Sequence, residues 1–532
     1  MRLLCVAVLL AACSGGPVAA VPSSTPLEQV LRVNLAAAPV SLDPARVQYP
    51  QERAVLRQLG EPLLRPLPGL SGVEGAAAER YEVSADRLTY TFHLRAARYR
   101  DGLPVRAADF VYAWRRLLDP RVASPSADLF AASVRGGEEV ASLDPAKDGP
   151  RIDSLLRSAG LAAPDERTFQ VTLPQAEGWF PWVASLPEGV PVRQDVIDRN
   201  GAGWAKSPDT LVLNGPFVVT AITGERIDLQ PNPDYWGPRP RLKRLSFISQ
   251  ANLADAAQAY DRGQLEMTPV PRGVDATSET RKQPELTVYW VHFNATRPPF
   301  DSPSARLAFA RAVDRKALVA AALQGRAQEA TSLIPEGMPG YRAEAGRPQE
   351  FDARAANALL DASGGRPASL RMLVPDSAGN RAVAGFLQAR YQDVLGVPVS
   401  LDFADQISFD KRVRQGDFDL AGPFGWTADY PDWQTFFDRF RSTDGWDLSR
   451  WASPQYDNLV RQADAEGDPG RREQLYLQAQ QLIVREAAVG FLFQRTHWTQ
   501  VKPYVRGLKS TAFDDAPLVG DLFAPAIYIA SH

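Results

Sequence analysis

The sequence predicts an α/β protein of more than one domain, and three observations carry that expectation. The chain has 532 residues, well beyond what a single hydrophobic core supports, so two or three domains are expected. Its first half holds short stretches in which apolar and polar residues alternate, the pattern of half-buried strands. From about residue 352 short strands alternate with amphipathic helices, which favours parallel pairing in a covered sheet.

Taken in order, Leu31, Val33 and Leu35 alternate with Arg32 and Asn34, predicting a strand where the folded body begins near Val30. Tyr90, Phe92 and Leu94 repeat the pattern. Phe110, Ala113, Trp114 and Leu117 fall at helical spacing, predicting a helix from about Ala108 to Leu118 that Asp119-Pro120 stops. Val218, Val219 and Ile222 lead through Gly224 to Ile227 and Leu229, a hairpin ending at Pro231 and part of a mixed sheet.

Past residue 352, Asp352 is the expected N-cap of a helix with Leu359 and Leu360 on its apolar face and Gly364 after its end. Leu370, Met372 and Val374 form the next strand. A helix from about Arg381 to Leu395 leads to Val399, Leu401 and Phe403, and a further helix leads to Phe418, Leu420 and Ala421. A last long helix, about Arg471 to Glu486, precedes a strand at Phe491 and Phe493. The chain shows no internal repeat.

The two cysteines, Cys5 and Cys13, both lie near the start, so no disulfide or cysteine-based zinc site is expected beyond residue 13. Arg2 followed by an apolar run from Leu3 to Ala12 reads as a signal peptide over residues 1–12, too short to span a membrane. Its end, Leu10-Ala11-Ala12-Cys13, resembles the bacterial lipobox, which would make Cys13 the lipid attachment site and residues 13–28, rich in Gly, Pro, Ser and Ala, a flexible tether. A plain secretory cut after Val18-Ala19-Ala20 and a coincidental apolar start on a cytosolic chain are the alternatives. Ser14 does not decide which membrane would hold the anchor. No later segment approaches eighteen uninterrupted apolar residues.

With 59 basic and 62 acidic residues and no long run of one sign, nucleic-acid binding has no support. Enzyme signatures are missing too: there is no Gly-x-Ser-x-Gly elbow, phosphate loop or dinucleotide fingerprint. His93, His292, His497 and His532 form no metal-binding pair on one helix face, and read as surface or strand histidines. Asp144, Asp148 and Asp153 do not follow a calcium loop and read as a solvated turn. No metal and no cofactor are expected. Asp429 and Asp432 raise a two-carboxylate hydrolase as a rival, set in the aromatic stretch from Gly425 to Trp433, which suits a binding wall or a core corner.

Several stretches, in order along nearly the whole mature chain, resemble bacterial extracellular solute-binding proteins of ABC importers, in the oligopeptide- and dipeptide-binding branch. They include Ser41-Leu42-Asp43-Pro44 before a helix from Arg53 to Leu64, then Thr89 to Arg95, Asp101-Gly102-Leu103-Pro104-Val105 and Ala108 to Tyr112. Asn214-Gly215-Pro216-Phe217, Asn232 to Trp236, Phe293-Asn294 with Pro298-Pro299-Phe300, and the helix from Arg306 to Leu318 follow. The resemblance implies a two-lobed periplasmic-binding-protein fold of the large, peptide-binding type with an extra small domain inserted in the first lobe. The expected parts are 29–61, 206–293 and 504–532 for the first lobe, 62–205 for the insert, and 294–503 for the second, α/β lobe.

The strongest implied function lies in Gly425-Trp426-Thr427-Ala428-Asp429-Tyr430. In peptide-binding relatives the aspartate of this motif grips the ligand's α-ammonium and the strand before it pairs with the peptide backbone. Such a charge-assisted contact would make Asp429 select free N-termini, and main-chain pairing through Gly425, Trp426 and Thr427 would be β-strand addition, indifferent to side chains. The expected ligand-binding residues are therefore Asp429, Trp426, Gly425, Thr427, Tyr430 and Gln48. For Asp429 the competing reading is an N-cap or turn residue. Two departures leave ligand length and C-terminal recognition open: Pro423 stands where some relatives carry an arginine for the ligand carboxylate, and Gln48 stands where a relative has a glutamate. Arg412 and Arg414 lie nearby in sequence but read as solvated helix charges. The implied protein is a monomer and not an enzyme, closes about a hinge on short peptides, and serves a permease–ATPase importer at a periplasmic or cell-surface location. A non-peptide solute (metal chelate, sugar or murein peptide), a cell-surface hydrolase and a chaperone-like lipoprotein are the alternatives.

Overall fold

The computed structural model describes residues 28–442, 448–514 and 520–531. The expected signal peptide, Cys13 and the tether up to residue 27 lie outside them. One large sheet of eleven strands organises the molecule. Its strands are β1 (Val30–Asn34), β2 (Phe217–Ile222), β3 (Arg226–Pro231), β4 (Arg244–Ile248), β5 (Met267–Pro269), β6 (Thr280–Phe293), β7 (Leu370–Pro375), β8 (Val399–Ala404), β9 (Leu420–Thr427) and β10 (Val489–Val501). The order across the sheet is β8-β7-β9-β6-β10-β5-β1-β4-β3-β2, with the short strand Ala327–Glu329 also on β10.

The elements expected from periodicity form. The Gly224 hairpin pairs β2 with β3 antiparallel, and β7 pairs parallel with both β8 and β9. Helices run over Ala107–Leu118, Ala378–Leu395 and Pro469–Arg485. Asp352 caps its helix by accepting from the Ala355 N–H. Two bodies result. One apolar core gathers around Leu31, Val33, Leu229 and Phe247 and runs into the small domain. A separate one packs Val291, Phe309, Met372, Tyr391 and Leu420 behind the other half of the sheet, so the α/β two-lobed architecture holds.

Two long strands join these bodies. Thr280–Pro284 of β6 lie opposite Thr496–Gln500 of β10, and Val288–His292 lie opposite Val489–Gln494; the register jumps between Pro284 and Val288. β6 spends extra residues there, and such a bulge bends a strand and re-aims its side chains. The buried Gln494 amide spans the bulge, donating to the carbonyls of Glu285 and Glu336 at 2.8 Å each and accepting from the Glu336 N–H at 2.9 Å. The sheet thus passes from one body to the other inside continuous strands, whereas the expected breaks at 293/294 and 503/504 fall at or just beyond the strand ends.

The motif residues outside the Gly425–Tyr430 stretch serve as structural pins. Asp43 accepts a bidentate pair of bonds from Arg116 at 3.0 and 2.8 Å and one from the Trp204 indole at 3.2 Å, tying the first segment to the small domain. Asn214 exchanges two bonds with the Glu61 backbone. Arg315 is buried without a carboxylate partner among the described residues; its guanidinium donates to the carbonyls of Ala330, Phe491, Val313, Gln349 and Ala310. Burial lowers its pKa to about 10, so it stays charged at neutral pH.

The small domain is a four-stranded antiparallel sheet in the order Ala78–Val83, Thr89–Leu94, Thr168–Thr172, Leu161–Asp165. Trp114 packs on it, edge-on to Phe130, Phe169 and Phe180, while its indole N–H donates to Gly189 at 3.1 Å. Asp144 sits in a turn paired with Lys147. Glu177 is buried and accepts from the Ser133 hydroxyl at 2.7 Å; removal from water pushes its carboxyl up to about 8. The folded chain therefore holds a proton that the unfolded chain releases in the ordinary carboxylate range. The stability this contributes is complete at acid pH and lost as pH rises towards 8, at up to about 1.4 kcal/mol per pH unit. Urea unfolding at pH 5, 6.5 and 8 should show Glu177→Gln gaining on the parent chain as pH rises.

Candidate functional site

A cavity of about 330 Å³ opens between the bodies beside the strand bulge. Five distant segments meet there. Helix α1 (Pro50–Leu59) brings Arg53 and Arg57, the small domain brings Leu186 and Glu188, β6 brings Glu285 and Leu286, the end of β9 brings Thr427, Ala428 and Asp429, and the C-terminal segment brings Phe513 and Asp514. The buried Glu52 carboxylate sets the start of α1, accepting from the N–H groups of Val40, Ser41, Gln48 and Tyr49 at 2.6 to 3.0 Å.

β9 carries the site's most distinctive geometry. Its pairing with β7 stops at Leu420 and Ala421, while its pairing with β6 continues to Thr427 opposite Thr287. The Ala428 N–H donates to the Leu286 carbonyl at 2.8 Å. Alternation in an antiparallel ladder then turns the N–H and C=O of Gly425 and Thr427 away from β6, towards an edge that no described strand occupies. Gly425 is required here: an added Cβ would lie 2.5 Å from the Tyr289 ring, which stacks on Phe493 at 4.6 Å.

Beyond that edge stands Asp429, held by Thr435. The Thr435 hydroxyl donates to the Asp429 carboxylate and accepts from the Asp429 backbone N–H, both at 3.2 Å, with the Trp426 indole approaching at 3.4 Å. Among the described residues Asp429 has no ion pair. It is exposed to water, while the protein around it displaces part of its hydration. That loss of water raises its pKa above the ordinary carboxylate value; Arg439, the Thr435 hydroxyl and Arg53 pull it down, and Glu188 pushes it up.

The other expected residues divide. Thr427 lines the cavity with Asp429, whereas Gly425 and Trp426 stand behind it, the Trp426 ring 4.2 Å from the Arg439 guanidinium. Tyr430 is buried and donates to Gln434 at 2.5 Å; the chain turns it inward, so its place is structural. Gln48 is exposed ahead of α1 and does not line the cavity. Pro423 is buried. Arg412 bonds to Asp402 and Asp417 at 2.6 and 2.8 Å, which occupies it away from the cavity.

Asp429 and Asp432, adjacent in sequence, have opposite environments. Asp432 is buried and takes a bidentate pair from Arg472, both bonds at 2.7 Å; a carboxylate so neutralised is no partner for two-carboxylate hydrolysis. Arg53, Arg57, Glu188 and Glu285 escaped sequence reading because each is an ordinary surface-type residue locally; only Arg53 and Arg57 fell within a recognised stretch. Thr435 gave no signal beyond its closeness to the motif.

Residues 72–447 match the family described as bacterial extracellular solute-binding proteins, family 5 Middle. The chain is 30% identical over 538 residues to the probable deoxycholate-binding periplasmic protein YgiS of Escherichia coli, covering 96% of each. It is 28% identical over 549 residues to the periplasmic oligopeptide-binding protein OppA of Salmonella typhimurium, covering 98% of this chain and 97% of that one. Among solved structures it superposes on the unliganded open form of the periplasmic murein tripeptide binding protein MppA with a TM-score of 0.83 and 25% identity, covering 95% of this chain and 98% of that one.

Breaking one partner of a buried ion pair leaves the other charge uncompensated. Asp432→Ala should therefore cost about 3–5 kcal/mol in urea unfolding, while Asp429→Ala changes stability by less than about 0.5 kcal/mol.

Proposed function

The chain belongs to the bacterial extracellular solute-binding proteins of family 5, and from that premise we propose that it captures peptides outside the cytoplasm and delivers them to an ABC importer. One observation carries the peptide reading: Asp429, which has no ion pair among the described residues, stands at the end of a strand edge that no described strand occupies, with Thr427 and Asp429 lining the cavity. An extended peptide would add to that edge through the N–H and C=O of Gly425 and Thr427. Its α-ammonium would meet Asp429, giving a charge-assisted bond in an enclosed place. Relatives named for oligopeptide and murein tripeptide binding support this reading.

The cavity's charge separates peptides from the bile acid in another relative's name. Its lining carries two arginines, Arg53 and Arg57, against four carboxylates, Glu188, Glu285, Asp429 and Asp514. Glu188 is paired with Arg53 and Glu285 with Arg495, so Asp429 supplies the negative charge that favours an ammonium-bearing ligand over the deoxycholate anion. Arg53 donates to Glu188 at 2.7 Å and Arg57 lies 5.3 Å from the Phe513 ring; both line the cavity.

Capture proceeds by hinge closure. The likeness to an open, unliganded form and the water-accessible Asp429 fit a resting open state. The parts expected as 29–61, 206–293 and 504–532 act as one lobe carrying the 62–205 insert, and 294–503 as the other, with the crossing itself lying inside β6 and β10 at the Pro284–Val288 bulge. Cys13 is the lipid attachment site, which holds the protein at the membrane as a monomer beside its permease and ATPases.

Isothermal titration of residues 21–532, stripped of ligand by unfolding and refolding, checks the ligand. Tri- to pentapeptides with free amines should bind; N-acetylation or Asp429→Asn should weaken them by at least about 30-fold; deoxycholate should give no heat. Because the carboxylate must be ionised to hold the ammonium, affinity should fall as pH drops into the carboxylate range, and Asp429→Asn should erase that dependence. Failure of every peptide to bind would overturn the peptide reading. For the anchor, palmitate should label the full chain and not Cys13→Ser; labelling of neither would leave cleavage after Ala20.

A further inference from the structure

We propose that a basic hollow beside the start of the folded body is a docking surface for anionic phospholipid headgroups, formed by Arg239, Arg241 and Lys243 around Gln29 and Tyr528. The hollow is shallow, about 590 Å³, and its lining holds those three cations and no carboxylate. Along 239–243 buried Pro240 and Leu242 alternate with exposed Arg239, Arg241 and Lys243, and all three exposed cations line the same hollow.

The surface is held in shape. The Gln29 side chain exchanges two hydrogen bonds with the Ile529 backbone, at 2.8 and 3.0 Å. The N–H groups of Lys243 and Arg244 donate to the Gln29 carbonyl at 2.7 and 3.2 Å. The Arg241 guanidinium lies 3.5 Å over the Tyr528 ring, and Tyr528 stands opposite exposed Arg506 in a short ladder. Among the described residues, Arg239, Arg241, Lys243 and Arg506 have no ion pair. The neighbouring Arg244 pairs with Glu28 at 3.2 Å, with both side chains exposed.

Position identifies the occupant. Gln29 is part of the hollow, and the length of chain from Cys13 to Glu28 reaches at most about 50 Å. With Cys13 in the bilayer, a reading on which this inference rests, this face is the one kept nearest the lipid. The whole chain carries a net charge of -3, so an anionic surface would repel it on average. Screening over about 8 Å lets a local cluster of cations act alone, and an open hollow with well-separated cations matches many headgroups better than one enclosed anion.

The test uses residues 21–532, which lack Cys13, sedimented with phosphatidylcholine vesicles containing none or about a third phosphatidylglycerol. Binding should need the anionic lipid and vanish at high salt. At about five-fold per basic side chain, Arg239→Gln with Lys243→Gln should weaken it by roughly 25-fold, and adding Arg241→Gln by roughly 100-fold. Lys316→Gln, Arg354→Gln and Lys411→Gln together, exposed on the other lobe, should leave it unchanged. The double variant keeps the Tyr528 stack, and its far-UV circular dichroism and peptide titration confirm the fold. Equal binding to neutral vesicles, no binding at all, or equal loss in the control triple would overturn the proposal. Because this chain cannot be lipidated, its result is independent of palmitate labelling at Cys13: binding without labelling would remove the anchor and leave the surface, and labelling without binding would do the reverse.

Discussion

Everything in this molecule hangs on the ladder between β6 and β10. These are the only described strands that pair within both bodies, and their register jump between Pro284 and Val288 concentrates the irregular backbone in a few residues. A ladder hydrogen-bonded on either side of a bulge resists shear but bends at the bulge. The carbonyl of Glu285 within this irregular stretch is tied by Gln494. The same bulge aims Glu285 into the cavity, where Arg495 and the His497 ring lie 3.5 and 3.3 Å away.

From that constraint follows the strand edge. β9 is fastened to β6 on one side, and it outruns β7 on the other. Backbone groups left without a partner inside a sheet are costly once dry, so this edge needs either water or an added strand. Asp429 follows the same rule. Desolvation already raises its pKa, so a bound ammonium would relieve a strain that Asp432, satisfied by Arg472, does not have. Two carboxylates three positions apart thus have opposite environments: Asp432 is closed off by Arg472, and Asp429 is exposed.

The motifs of the family resemblance turn out to be mostly long-range fasteners. Asp43 joins Arg116 and Trp204, Asn214 joins the Glu61 backbone, and Arg315 gathers five carbonyls from four segments. Asn214 and Arg315 satisfy buried backbone groups, and Asp43 satisfies the Arg116 guanidinium and the Trp204 indole. Stretches of this kind therefore announce the architecture more than they announce the ligand.

By itself the sequence determined the elements, the architecture through its motifs, and the stretch from Gly425 to Asp429, because strand and helix periods and short motifs are local properties that need no knowledge of distant chain. Only the tertiary structure decided which groups meet. Arg53, Glu188, Glu285 and Phe513 converge on Asp429 although far apart in sequence. Tyr430 turns inward to Gln434, and Gln48 stays outside the cavity. Arg472 claims Asp432, and Gln29 finds Ile529 at the other end of the chain. The reason is physical: a contact between distant residues depends on how whole strands register and pack, and nothing in the identity of either residue records that.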